Sequence, residues 1–349
     1  MKNILVTGTG GRSFDAGVLH RLIRSNELVS KRWNVIAADA DSFAWGLYKT
    51  KQHLLLPFAN SPEYLPKLHQ AIKEFNLDAI IPGTEAETEL LAKNKKEFPD
   101  TVILCNRADL MPLMMDKTEM LKAFKSKGIN FIPSCALTNY KEVIKEWDFP
   151  MVLKPVKGTG GSRGLQIISS TKDIEDSLEH LGDQKSNYCL QPFIGTADSE
   201  YTVGILSDKN TSIIDSIVLK RKLAGLSLLS SIKKGELRYD ISTGYSQGFI
   251  IKHPKIQEFC EQLAQKFNSV GPLNIQLREH DGEFYVFDFH PRFSGTTPMR
   301  SDVGFNEVDL LLRNYLLDEF FSRIDYQTDV AAIRTFEHVI VPIKDMAKK

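Results

Sequence analysis

Four short, almost wholly apolar runs in the first third of the chain constrain the fold most. They are "NILVTG" (3–8), "NVIAAD" (34–39), "DAIIPG" (78–83) and "TVILCN" (101–106), and each ends in turn residues. A strand with one wet face alternates polar and apolar side chains, so runs without alternation suit parallel strands covered on both faces. Between them Leu65, Leu68, Ile72 and Phe75 recur at helical spacing, and Leu90, Leu91 and Ala92 follow "TEAETE". Strand, helix, strand, helix predicts a doubly wound α/β domain over residues 1–112.

A helix is expected next in "DKTEMLKAFKSKG" (116–128), with Asp116 as N-cap, Glu119 completing a capping box and Gly128 as the stop. "FPMVLKPVKGTGGSRGLQII" then reads as a strand, a glycine-rich loop and a second strand. A helix over 171–181 and the strand "YCLQPF" complete a small subdomain, 113–190. From Glu200 the pattern turns β-rich, in "EYTVGIL", "SIIDSIVLK", "GPLNIQLREH" and "EFYVFDF", with one helix at 253–268 and another at 306–318. These predict a larger subdomain over 191–325. In the tail, 326–349, "VAAIRTFEHVIVP" (330–342) reads as one more strand. The fold class is therefore α/β followed by α+β.

The chain carries 44 basic and 44 acidic side chains in 349 residues, so no global charge draws it to nucleic acid or an anionic membrane. No apolar run approaches the roughly 18–20 residues that span a bilayer, and "MKNILVTGTGG" has no secretory pattern. The expectation is a cytoplasmic protein. Cys105, Cys135, Cys189 and Cys260 lie far apart and match no zinc or redox spacing.

"KGTGGSRGL" (157–165) is the most informative stretch for chemistry. Glycines let backbone amides surround phosphate oxygens, and Ser162 adds a hydroxyl. The loop joins two strands instead of opening a helix, which separates it from the P-loop and dinucleotide fingerprints. Lys154 closes the apolar strand just before it, where an ammonium is costly to bury without an anionic partner. Lys117 opens the preceding helix. In "EFYVFDFHPRFSG" (283–295), alternation puts Asp288 and His290 on one face and Phe287 and Phe289 on the other, with Arg292 following Pro291.

In this order, "DKTEM", "VLKP", "GTGGSRG", "LQPFIG", "EYTVG", "NIQL" and "FDFHPRFSG" make the chain resemble the ATP-grasp superfamily, and within it the carbamoyl-phosphate-synthetase-like ligases. The likeness runs to about Glu319. It implies an ATP-grasp fold behind a pre-ATP-grasp α/β domain, and an ATP-dependent ligase that joins a carboxylate to an amine or ammonia through an acyl phosphate. By that resemblance Lys117 and Lys154 contact the nucleotide phosphates under the amides of Gly160, Gly161 and Ser162. Gln191, Phe193 and Ile194 lie in the adenine hinge, and Glu200 holds the ribose. Gln276, Asp288 and His290 match positions that bind or orient magnesium, with manganese as the alternative ion, and Arg292 matches an arginine on the phosphoryl group.

Two departures stand out: Pro192 where many relatives have glutamate, and His290 where the family generally has asparagine. Arg300 is the candidate grip on a substrate carboxylate, and Lys220, Arg221 and Lys222 offer cations for an anionic substrate. The implied partners are small molecules, with homodimerisation a family-level expectation. Three rival readings remain. The first is a carbamoyl-phosphate-type subunit acting on bicarbonate. The second is an NAD-linked oxidoreductase built on "GTGGRSFDAG" and "AADAD". The third is a non-catalytic nucleotide-binding protein.

Overall fold

The computed structural model describes residues 1–10, 33–156, 164–196, 198–234, 236–335 and 338–347. Strands β1 (Lys2–Val6), β2 (Trp33–Asp39), β3 (Gln52–Leu55), β4 (Ala79–Ile81) and β5 (Val102–Ile103) form a parallel sheet in the order β3-β2-β1-β4-β5. Helices α1 (Tyr64–Phe75) and α2 (Glu85–Lys93) follow β3 and β4. Leu5, Ile36 and Ile80 pack with Leu68 and Leu91 of these helices. Ile4, Val6, Ala37 and Ile81 face the other way, against Phe305, Val308 and Leu311 from the C-terminal part of the chain. Both faces are covered, which is the physical reason these strands are unbroken apolar runs.

Helix α3 (Lys117–Ser126) starts as expected at Asp116, whose side chain accepts from the Thr118 amide at 2.8 Å. The capping box does not form. Glu119 turns instead to Lys122 Nζ at 2.8 Å, an exposed pair one turn on. Gly128 ends the helix in the left-handed conformation, φ 63°. An antiparallel sheet of β6 (Cys135–Ala136), β7 (Met151–Pro155), β8 (Gln166–Ile168) and β9 (Tyr188–Pro192) then runs in the order β6-β9-β7-β8, with α4 (Thr171–Leu181) packed on it through Ile174.

The largest sheet is antiparallel and six-stranded. It contains β10 (Glu200–Ser207), β11 (Ile213–Arg221), β14 (Gly248–Ile251), β15 (Gly271–His280), β16 (Glu283–His290) and β17 (Val330–Ala332), in the order β16-β15-β10-β11-β14-β17. Strands β12 (Leu228–Lys234) and β13 (Leu237–Ser242) form a separate hairpin that is not among the strands expected from the sequence. The expected tail strand is confined to the three residues of β17, which pair with β14 and form the edge of the sheet. Helix α5 (Pro254–Lys266) joins α3 on one face of the large sheet, over a core of Phe124, Val203, Ile256, Leu263, Ile275 and Phe289. Helix α6 (Glu307–Leu317) belongs to the core on the opposite side. Among the described residues no helix is long and apolar enough to cross a membrane.

One irregularity in this sheet aims the polar residues. Gln276 pairs with Asp288 but Leu277 pairs with Val286, so Phe287 is the extra residue of a β-bulge. Before the bulge Phe284 and Val286 face the α3/α5 core, and after it Phe289 does. The parity switch turns Asp288 and His290 away from that core and onto the face carrying Glu200, Arg221, Gln276 and Arg278. Simple alternation placed Asp288, His290 and Phe289 correctly and missed that Phe287 sits at the bulge.

Candidate functional site

Three polar clusters share this face of the large sheet. In the first, Lys117 at the start of α3 donates to Asp288 Oδ1, and His290 Nε2 lies 2.6 Å from Asp288 Oδ2. Burial pushes the Asp288 carboxyl up, but the His290 and Lys117 charges outweigh it and hold the group well below the usual carboxylate range. For His290 burial works against the charged form and Asp288 more than offsets it, so its pKa is raised. Lys154, on β7, is only 9% exposed. Burial, then the Lys117 charge, brings its pKa down to about 8.

Glu85 reaches this cluster from the parallel-sheet domain, a residue the sequence reading missed. It is the first residue of α2, after the β4 strand end, and its Oε1 accepts from Arg292 Nη2 at 2.8 Å and lies 3.3 Å from His290 Nδ1. Burial raises its pKa, yet Arg292 and His290 bring it down to about 2. The only hint in the sequence was an acid opening a helix after a buried strand, a pattern that helix-dipole stabilisation explains equally well. Arg292 is further held by its own Nη1 donating to Phe293 O at 2.9 Å.

The second cluster surrounds Glu200, which is 3% exposed. Arg221 Nη1 donates to Oε1 at 2.5 Å, and Arg278 donates to Oε2 through Nε at 3.2 Å and Nη2 at 2.8 Å. Arg221 also binds Ser242 Oγ and, at 3.1 Å, Tyr245 O. Arg221 is thus bound up inside the fold, and this replaces its reading as a free cation for an anionic substrate. Of its neighbours, Lys220 Nζ lies 6.0 Å from the Tyr201 ring centroid and Lys222 Nζ 3.5 Å from Asp198.

The segment expected to be the adenine hinge runs beside this cluster. Gln191 is buried on β9 and donates to Ile132 O at 3.4 Å. The Phe193 amide donates to Pro150 O at 3.2 Å, and Ile194 O accepts from Arg278 Nη1 at 3.2 Å. The Arg278 guanidinium lies 3.9 Å over the Phe193 ring. Pro192, with no amide hydrogen, pairs in register with Met151.

The third cluster corrects the reading of Arg300. It is 2% exposed, with Nη1 donating to Glu307 Oε1 and Nη2 to Asn274 Oδ1, both at 2.7 Å. Thr297 Oγ1 donates to Glu307 Oε2 at 2.6 Å, and Thr202 Oγ1 to Asn274 Oδ1 at 3.1 Å. A buried guanidinium spent on these acceptors is a structural tie, not an open grip for a substrate carboxylate. Gly160, Gly161 and Ser162 lie outside the described residues, as does most of the N-terminal glycine stretch.

What remains of that stretch bears on the dinucleotide reading. Asp39, at the end of β2, accepts from the Gly10 amide at 2.7 Å and the Asp41 amide at 2.9 Å. Its Oδ2 holds the segment after β1 and its Oδ1 the turn after β2.

The donor set fits a divalent cation that arrives with a polyphosphate. Asp288 and Gln276 sit directly opposite each other on β16 and β15 and present oxygens, which magnesium prefers, and such an ion needs only one or two protein carboxylates. Among the described residues no group of three His, Cys, Asp or Glu forms a metal site by itself. The His290 ring lies between two carboxylates, with Nε2 2.6 Å from Asp288 Oδ2 and Nδ1 3.3 Å from Glu85 Oε1.

Comparison with known proteins bears on the fold. Residues 4–105 match the family described as PylC-like, N-terminal domain, and residues 192–337 match ATP-grasp in the biosynthetic pathway with Ter operon. Carbamoyl phosphate synthase large chain of Clostridium beijerinckii is 23% identical over 273 residues, 76% of this chain and 24% of the relative. That of Clostridium botulinum is 24% identical over 281 residues, 79% of this chain and 23% of the relative. The chain spans about a quarter of the length of these curated relatives. Among solved structures, N5-carboxyaminoimidazole synthetase from Staphylococcus aureus complexed with ADP superposes with TM-score 0.66 at 14% identity, covering 93% of this chain and 80% of that one. The biotin carboxylase domain dimer of Hydrogenobacter thermophilus 2-oxoglutarate carboxylase, in complex with MgADP, ADP and bicarbonate, gives 0.62 at 16% identity, covering 87% and 66%. The chain has the ATP-grasp fold, and its residues 4–105 are similar to the PylC-like N-terminal domain.

Proposed function

We propose that the chain is a cytoplasmic ATP-dependent ligase that activates a carboxylate as an acyl phosphate and joins it to an amine or ammonia, with ADP and phosphate as products. The observation that carries this reading is the meeting of Lys117, Lys154 and Asp288. Lys154 is buried, and the neighbouring Lys117 charge adds to the cost of its own. That imbalance is relieved by an anion, and a nucleotide phosphate has the required charge.

In this reading Lys117 and Lys154 neutralise the phosphates from two elements, and the hinge at Gln191, Phe193 and Ile194 receives the adenine. Asp288 and Gln276 hold a magnesium ion, which supplies charge neutralisation between phosphates, while His290 keeps Asp288 in place. Arg292, fixed by Glu85, meets the phosphoryl group as it transfers. Phosphoryl transfer depends mainly on positioning and charge, so no protein nucleophile is required. The test is magnesium-dependent ADP release screened over amino acids, sugar acids and bicarbonate, each with several amines. Bicarbonate belongs in the screen because the structurally similar biotin carboxylase domain was solved with it. Release that no acid stimulates would overturn the ligase reading. As in that neighbour, we infer a homodimer.

A pH dependence follows. Because the Lys154 pKa is lowered to about 8, the free protein keeps this ammonium below pH 8 and loses it above. Bound phosphate favours the charged form, so binding above pH 8 must first take up a proton. MgATP affinity should hold steady from pH 7 to 8 and then fall, approaching about tenfold per pH unit. Lys154→Arg should flatten the fall in a titration calorimetry series. An unchanged slope in that variant would place the titrating group elsewhere.

A further inference from the structure

Glu200 stands where the resemblance puts a ribose acceptor, yet its carboxylate is already largely used. A carboxylate offers about four lone-pair positions, two on each oxygen. Oε2 accepts two hydrogen bonds from Arg278, at 3.2 and 2.8 Å, and Oε1 accepts one from Arg221 at 2.5 Å. Among the described residues this leaves room for one further donor, on Oε1. A ribose diol brings two hydroxyls.

Neither arginine is placed to withdraw easily. Arg221 is 3% exposed, and its Nη2 is committed to Ser242 Oγ and Tyr245 O. Arg278 is 8% exposed, donates to Ile194 O at 3.2 Å and lies over the Phe193 ring. Pulling either away from Glu200 would strand a buried guanidinium without its counter-charge. Two cations to one anion also means that the carboxylate is held by its neighbours more than it is offered to a ligand.

Resting on the nucleotide-site reading above, we propose that Glu200 is the keystone of a buried Arg221–Glu200–Arg278 clamp rather than a two-hydroxyl ribose receptor. The clamp ties strands β10, β11 and β15 to the hinge and to the segment after β13. The pocket then reads at most one ribose hydroxyl through this acid, so it selects only weakly between ribonucleotides and one of the two deoxy series.

Titration calorimetry on the full chain with magnesium and ADP, 2′-deoxy-ADP or 3′-deoxy-ADP tests this without knowledge of the acceptor acid. The expected result is that at least one deoxynucleotide binds within threefold of ADP. If both bind more than threefold more weakly, the clamp proposal is wrong while the nucleotide site stands. If ADP itself does not bind, the nucleotide-site reading falls and takes the proposal with it. Arg221→Met opens a second acceptor position on Oε1, so the better-tolerated deoxynucleotide should then fall more than threefold behind ADP. An unchanged ratio in a folded variant overturns the lone-pair argument. Should that variant not fold, the wild-type comparison decides alone.

Discussion

Asp288→Asn should reduce acceptor-dependent ADP formation by roughly a hundredfold to a thousandfold, the range seen when one preorganised charge-stabilising group is removed, while the chain stays folded. The side chain is nearly isosteric and partly exposed, at 20%, so the substitution opens no cavity. What changes is charge. The carboxylate receives Lys117 on one oxygen and His290 on the other. An asparagine can satisfy one of these with its carbonyl but turns an amide towards the other. It also removes the one ionised oxygen donor paired in register with Gln276 for a cation. Lys154→Ala should be equally severe, by removing the buried ammonium that shares this cluster with Lys117 and Asp288. The measurement is coupled ADP release at saturating magnesium, with circular dichroism and melting temperature as controls for folding. An Asp288→Asn protein with normal turnover and unchanged metal dependence would show that the phosphates and their cation lie elsewhere.

Much of the fold was legible because burial on both faces leaves a sequence trace. The unbroken apolar runs of β1, β2 and β4 exist because α1 and α2 lie on one side and the C-terminal part of the chain on the other. A hairpin such as β12–β13 leaves no such trace. It packs on no large core through a continuous face, and Leu229 and Leu237 are half exposed. The short span of β17 was overestimated for a related reason. Ile333 and Ile340 have β-type side chains but are 81% and 84% exposed, so propensity acted there without burial to support it.

The candidate site divides along the same line. Asp288, His290 and Arg292 lie on or just beyond one strand, and their spacing alone brought them together on paper. Glu85 lies 207 residues from Arg292, and only the tertiary packing of α2 against the end of β16 makes them a pair. The bulge at Phe287 was equally hidden, because it depends on how β15 registers against β16 and not on β16 itself. Partner choice among buried charges was the least readable feature. Arg221 and Arg300 each look like substrate cations in one dimension, and Arg278 draws no notice there at all. In the fold they are consumed by Glu200 and Glu307.

Arg300→Ala should therefore destabilise the protein by about 3–5 kcal/mol, the cost of leaving a buried charge without its partner, with a melting temperature lowered by several degrees. Glu307 is 1% exposed and Asn274 2%, so neither can recover its lost hydrogen bonds from water without opening the core around Phe305. The neighbouring strand is built to this arginine: a Cβ at Gly204 would collide with the Arg300 guanidinium. The single and double variants separate this role from the substrate grip that the sequence suggested. Replacing both charges, Arg300→Met with Glu307→Leu, removes the stranded carboxylate and should recover much of the stability, because a buried ion pair exchanged for apolar side chains of similar size is often close to neutral. A substrate-gripping arginine behaves differently. Its loss raises KM for the carboxylate, leaves the melting temperature near that of the parent, and is not repaired by a second change at Glu307. Thermal melts of the two single variants and the double variant, with KM measured for whichever acid the screen identifies, distinguish the two outcomes. A stable Arg300→Ala protein with a raised KM would return this residue to the substrate pocket and mean that the pair with Glu307 is broken when substrate binds.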